Sequence, residues 1–177
     1  MKKTFLLIGT SLLLLVACNS DKKDEKESDK KMDNSAEAKE EKNKQTALAS
    51  VNALIAGDVD GTLKDVVTDA VDYGDGSMSP VKGVDSIKAG LHMWRDNMST
   101  YKADNMLAMA DGDYVAVFGE WSATFKADMM GMKMGGKSVK IKDVDIFKFN
   151  SEGKIIEHRN VQSSAEMMKQ LGVEMPK

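Results

Sequence analysis

The sequence has one cysteine, Cys18, and so no disulfide framework or cysteine-built zinc site can form within the chain. It has two histidines, His92 and His158, which confines imidazole chemistry to two positions. Neither sign of charge dominates. Lys and Arg number 25 against 28 Asp and Glu, a net of −3, and no basic stripe marks a nucleic-acid partner. No apolar run reaches the roughly 20 residues that span a bilayer. There is no internal repeat.

What is present begins with a short apolar run. Lys2 and Lys3 precede Phe5 to Ala17, and the run ends Leu15-Val16-Ala17-Cys18 before a polar segment. Charge, apolar length, small residue and cysteine in that order form an export signal. The last four residues resemble the lipobox of bacterial lipoproteins. The resemblance implies cleavage after residue 17 and a lipidated Cys18 holding the mature chain to a membrane of the cell envelope, palmitate among its acyl chains. Several chains would make that anchor stable, where one binds marginally. The sequence does not name the membrane.

Residues 18–44 read as a tether. From Asn19 to Lys44, 17 of 26 residues are charged, 8 Lys against 9 acidic. Such a stretch buries too little to offset its ordering entropy, and the expectation is disorder. The remainder, 45–177, suits one domain.

Within it, Thr46 to Ala56 reads as a helix with Leu48, Val51 and Ile55 on one side and Gly57 as its stop. Asp58 to Val66 suits a second short helix. Ala70 to Tyr73 suits a brief strand before the turn Gly74-Asp75-Gly76-Ser77. Asp85 to Asn97 is a helix with an apolar stripe of Val84, Ile87, Leu91 and Trp94, and Asp85 is the expected N-cap. The period then changes to two. Strands are expected over Thr100–Ala110, Tyr114–Lys126, Ser138–Phe149 and Lys154–Gln162, with turns at 111–113 and 150–153. Ser163-x-x-Glu166 has capping-box form before a closing helix to Leu171. Helices, then an antiparallel meander, then a helix make an α+β domain.

Several short motifs carry a resemblance. They are Gly153-Lys154-Ile155-Ile156-Glu157-His158, followed by Gln170-Leu171-Gly172, with Ala56-Gly57-Asp58 and Gly83-Val84-Asp85-Ser86-Ile87 upstream. In order and spacing they resemble the SnoaL-like branch of the nuclear transport factor 2 superfamily across nearly all of 45–172. The resemblance implies a cone-shaped, curved antiparallel sheet wrapped around the N-terminal helices, with a pocket at its open end. Members include cyclases, isomerases, hydrolases and non-catalytic binders, and fold alone does not choose among them. SnoaL-type cyclases carry a catalytic Asp seven residues before the Gln-Leu-Gly. Here that residue is Ser163, which can cap a helix but has no useful basicity near neutral pH.

Acid–base candidates are therefore sought elsewhere: Asp72 with Tyr73, Glu120, Asp145 and His158, with His92 expected at the surface. Asp143 and Asp145 alternate onto one face with Phe147 and Phe149, yet Lys140, Lys142 and Lys148 share the strand. The simpler expectation is solvated carboxylates. Trp94, Phe118, Glu120, Trp121, Met130 and Met132 are expected at the pocket, Phe125 with them or in the core. Met129 to Met134 is the most unusual segment. It suits an adaptable apolar flap, or alternatively a soft Cu(I) or Ag(I) site. No other metal and no cofactor is expected. The leading expectation is a non-catalytic module for a small, mostly apolar ligand. An isomerase- or hydrolase-type enzyme and a homodimer through the open sheet face stand beside it.

Overall fold

A computed structural model describes residues 21–129 and 131–173, with side chains from residue 34 onward. The export signal, Cys18 and Met130 lie outside these residues. Among the described residues no helix is long and apolar enough to cross a membrane. The chain divides into two units between Ser35 and Ala36.

Helix α1 spans Asp21–Ala56, so the expected disordered tether is helical where it is described, and the folded unit begins at Ala36 rather than Gln45. Composition hid this because the partners are remote in sequence. Lys39 Nζ meets Asp113 Oδ1 at 2.6 Å. The Glu40 carboxylate accepts the Gly112 N–H at 2.8 Å. Tertiary contacts, with the strong helix propensity of Ala, Glu and Lys, offset the ordering entropy of 36–44.

Asn43, Ala47, Ser50 and Val51 form the buried stripe of α1 at helical spacing. Gly57, at φ 85°, ends the helix in the left-handed region. The last turn's carbonyls are satisfied from a distance: Arg95 donates to Leu54 O at 2.9 Å and Ile55 O at 3.0 Å. The Asn43 carboxamide is fully buried with no partner among the described residues. An unpaired buried amide costs about 1–3 kcal/mol. Asn43→Leu, of similar volume, is expected to raise the thermal midpoint by a few degrees. A lower midpoint on calorimetry would show that the amide is paired.

Beyond α1 come α2 (Val59–Leu63), β1 (Val66–Asp72), β2 (Val81–Lys82) and α3 (Val84–Asp96). They are followed by β3 (Met98–Asp111), β4 (Tyr114–Phe125), β5 (Ser138–Phe149), β6 (Ile155–Gln162) and α4 (Ser164–Leu171). The α+β class and curved, unclosed sheet match the expectation, with three local corrections. The α3 N-cap is Gly83, at φ 84°, and Asp85 lies in the first turn. The two-residue β2 was not anticipated. The sheet order is β2-β1-β6-β5-β4-β3, and β1 pairs with β6 in parallel, so the sheet is not wholly antiparallel.

Strand β4 alternates buried and open residues along its length. Its buried row of Val115, Val117, Trp121, Ala123 and Phe125 faces the helices. Curvature comes from a bulge in β3: Asp104 pairs with Glu120 and Leu107 with Phe118, leaving two residues opposite Gly119 alone. Asn105, at φ 54°, absorbs the kink. At the far end Ser163 caps α4, its Oγ accepting the Glu166 N–H at 3.3 Å. Gln170 extends the sheet's pairing through its side chain, accepting from Lys140 N at 2.7 Å and donating to Lys140 O at 2.8 Å.

Candidate functional site

Between the inner face of the sheet and α1–α4 lies a cavity of about 700 Å³. Most of its wall is apolar. Trp94 from α3, Tyr101 from β3 and Trp121 from β4 make an aromatic side. Tyr101 stacks on Trp121 with centroids 5.5 Å apart and meets Trp94 edge-on at 5.0 Å. Met129, Met132 and Met134 line the cavity beside Met98 and Met167. These five pack in one cluster with Phe125, Val139 and Leu171, with Met134 and Met98 buried. Met129 and Met132 close a small hairpin by reciprocal backbone hydrogen bonds of 3.1 and 2.9 Å.

Polar groups meet at one patch of this wall. Asp143 and Asp145 point inward, against the expectation of solvated carboxylates. No register shift interrupts β5 between Asp143 and Phe147, so the two aspartates stay on the phenylalanine face. Lys140, Lys142 and Lys148 take the opposite parity. The parallel pairing of β1 with β6 sets Asp72 directly beside His158. The imidazole is then held from both sides: Nδ1 meets Asp72 Oδ1 at 3.0 Å and Nε2 meets Asp145 Oδ1 at 3.1 Å. Its ring packs 5.0 Å from Phe147.

Burial alone would lower the His158 pKa. Hydrogen bonds and charge from Asp145 and Asp72 outweigh that and raise it to about 10. At neutral pH the ring is an imidazolium donating through both nitrogens, and it has no lone pair to act as a base. Burial pushes the Asp72 carboxyl up, but the His158 hydrogen bond and charge, with the Gly74 N–H at 2.9 Å, bring it below the usual range. Asp143 goes the other way: burial and then the Asp145 charge raise it, against weaker help from Asn160. Its Oδ1 accepts from Val144 N at 2.7 Å and its Oδ2 from Asn160 Nδ2 at 3.3 Å.

Not every expected residue reaches the cavity. Trp94, Trp121 and Met132 line it, as do Asp72, Asp145 and His158. Phe118 and Glu120 lie on the outer face, because β4 parity turns them away from Trp121. Phe118 pairs with Leu107 and Val144, and Glu120 meets Lys140 at 3.3 Å. Tyr73 packs under Arg159 at 4.6 Å rather than beside the carboxylates. His92 is at the surface with Asp96. Ser163 is committed to its helix cap. Sequence reasoning missed Tyr101 and Asn160. The parity of β3 and β6 could have suggested both, but their neighbours across the sheet were not legible.

Among the described residues no cluster of His, Cys, Asp and Glu suits a metal. The family model of the SnoaL-like polyketide cyclases matches residues 44–171. No curated protein matches the chain. Solved structures do. AclR of Streptomyces galilaeus, proposed to be a hydroxylase, is 23% identical, with 77% of this chain and 99% of that one covered and a TM-score of 0.65. A proposed polyketide cyclase of Xanthomonas campestris is 15% identical over 75% and 98%, with a TM-score of 0.69. An LEH-like epoxide hydrolase of M. tuberculosis is 19% identical over 73% and 89%, with a TM-score of 0.59. At these identities the likeness to the solved structures is one of fold.

Proposed function

This chain belongs to the SnoaL-like polyketide cyclase family, and from that premise we propose that it is a lipid-anchored, extracytoplasmic module that binds a small, mostly apolar molecule without turning it over. The observation that carries the reading is the mostly apolar cavity of about 700 Å³ with polar groups gathered around His158. A space of that size, mostly apolar with a few convergent polar groups, suits a small ligand. Two features favour binding over turnover. Ser163 stands where the family's cyclases carry their aspartate, and its oxygen serves the α4 cap. His158 is locked between two carboxylates.

A second reading is supported by the inward carboxylates. An isomerase- or hydrolase-type enzyme would use Asp145 or Asp72 as base, beside an Asp143 carboxyl that burial pushes above its ordinary range. The epoxide hydrolase among the similar folds keeps that class in view.

The outer sheet face supports a partner proposal, a second copy of this chain. Leu107, Phe118, Val144 and Val161 form one cross-strand row in register from β3 to β6, and the two end residues are exposed. Two such faces stacked would cover both rows.

One experiment reads all of this: native mass spectrometry of the full chain extracted in detergent from bacterial membranes. The expected mature mass starts at Cys18 with added acyl chains, the complex is a dimer, and an organic molecule co-purifies. An unprocessed chain would sink the anchor, a monomer at micromolar concentration the dimer, and an empty pocket the ligand reading. Conversion of the bound molecule to a new mass, lost in Asp145→Asn, would replace the binder with the enzyme.

A further inference from the structure

The polar patch holds more than the His158 network. Tyr101 lines the cavity, and its hydroxyl has no hydrogen-bond partner among the described residues. Stacking on Trp121 and edge contact with Trp94 fix the ring, so little side-chain freedom remains to be lost on binding a ligand. Burial, then the charges of Asp145 and Asp143, hold that hydroxyl well above the usual tyrosine range, so it stays a donor.

Asp143 lines the same cavity. The carboxyl is buried, 9% exposed, on the inner face directly across from Gly119. The indole nitrogen of Trp121 lies over that glycine, 3.1 Å from where a Cβ would stand. Tyr101, stacked on the same indole, therefore belongs to the same region of the wall. The Asp143 oxygens already accept from Val144 and Asn160. Beside them, Asp72 and Asp145 supply two carboxylates against the one imidazolium of His158.

We propose that Tyr101 is the specificity-determining donor of this pocket. Its hydroxyl hydrogen-bonds one neutral oxygen acceptor, a carbonyl or ether, on an otherwise apolar ligand. The adjoining Asp72 and Asp145 exclude ligands that end in a carboxylate. The proposal rests on the pocket reading above and names its ligand class. An anion placed there meets excess negative charge in a poorly solvated site, where repulsion is strong. A neutral acceptor meets a donor that otherwise goes unused, and filling an unpaired donor gives discrimination beyond apolar contact.

The test is calorimetric titration of the full chain with four probes of nearly one size: 2-acetylnaphthalene, 2-naphthoate, 2-naphthylmethylammonium and 2-ethylnaphthalene. The expected order places the ketone about fivefold tighter than the hydrocarbon, the gain of roughly one net hydrogen bond, and the naphthoate weakest. Tyr101→Phe should lose most of the ketone's advantage while binding the hydrocarbon as before, which separates a lost donor from a damaged pocket. Naphthoate equal to or tighter than the ketone overturns the proposal. So does an ammonium that binds tightest, or a Tyr101→Phe protein that keeps the full ketone preference. If the four probes bind equally, the pocket stands and the Tyr101 donor role falls. If none binds, the pocket reading falls and takes the donor role with it.

Discussion

His158→Ala is expected to lower the thermal midpoint by about 10–15 °C. The substitution leaves Asp72 and Asp145 facing one another across the vacated space, and breaking such a half-buried pair by removing one partner costs up to about 3–5 kcal/mol. The same network fixes a pH dependence. The folded pKa of His158 is raised from 6.5 to about 10, so the folded state binds its proton more tightly than the unfolded chain. Its contribution is fully present below about pH 6.5 and is lost as pH climbs toward 10. Asp72, whose folded pKa is lowered, contributes above its ordinary range, and that part is lost as acid protonates it. Thermal unfolding of the wild-type protein should therefore show a midpoint that declines between about pH 7 and 10, and His158→Ala should flatten this decline. A midpoint unchanged by the substitution, with the alkaline slope intact, would mean that the imidazole is not held by its two carboxylates. Asp72→Asn and Asp145→Asn should each remove part of the slope.

Trp121→Ala should cost a comparable amount, about 3–5 kcal/mol, through a different cause. Trp121 is 5% exposed and joins the core of Ala47, Val51, Val115, Val117, Phe147 and Phe149. It also backs the cavity and supports Tyr101. Truncation merges a new void with the existing cavity, and apolar ligands should lose affinity as their wall recedes. Trp121→Phe should cost far less. The indole N–H has no partner among the described residues, so removing it sacrifices no hydrogen bond and relieves an unpaired donor. Comparing the two variants by denaturant unfolding separates ring packing from indole chemistry. Equal losses in both would reveal a hydrogen bond to Trp121 Nε1, through water or a bound molecule.

These two residues differ in how far they could be read in advance. Trp121 was legible because β4 alternates without interruption, and a period of two fixes which residues share a face. Asp143 and Asp145 were half-legible. Their parity with Phe147 and Phe149 was visible, but the lysines of the same strand suggested solvent, and a single bulge would have reversed the answer. The uninterrupted register of β5 from Asp143 to Phe147 against both neighbours settles their direction. His158 was visible as one of two histidines, but its partners were not. Asp72 lies 86 positions away and reaches it through a parallel pairing that an antiparallel meander does not anticipate. Residues 36–44 illustrate the same limit. Read alone, they are too polar to order, yet Lys39 and Glu40 find partners at the β3–β4 turn.

By itself, then, the sequence determined what is periodic or local: the helix and strand order, the Ser163 cap, the buried face of β4 and the family that these spacings identify. Those features depend on residues within one or two turns of each other, where stereochemistry leaves few choices. The tertiary structure alone decided the chemistry of the cavity. Strands β1, β5 and β6 bring three carboxylates and one imidazole together, and β3 adds a phenol. Their protonation follows from that shared, poorly solvated space, where distance and burial rather than residue type set the balance of charge.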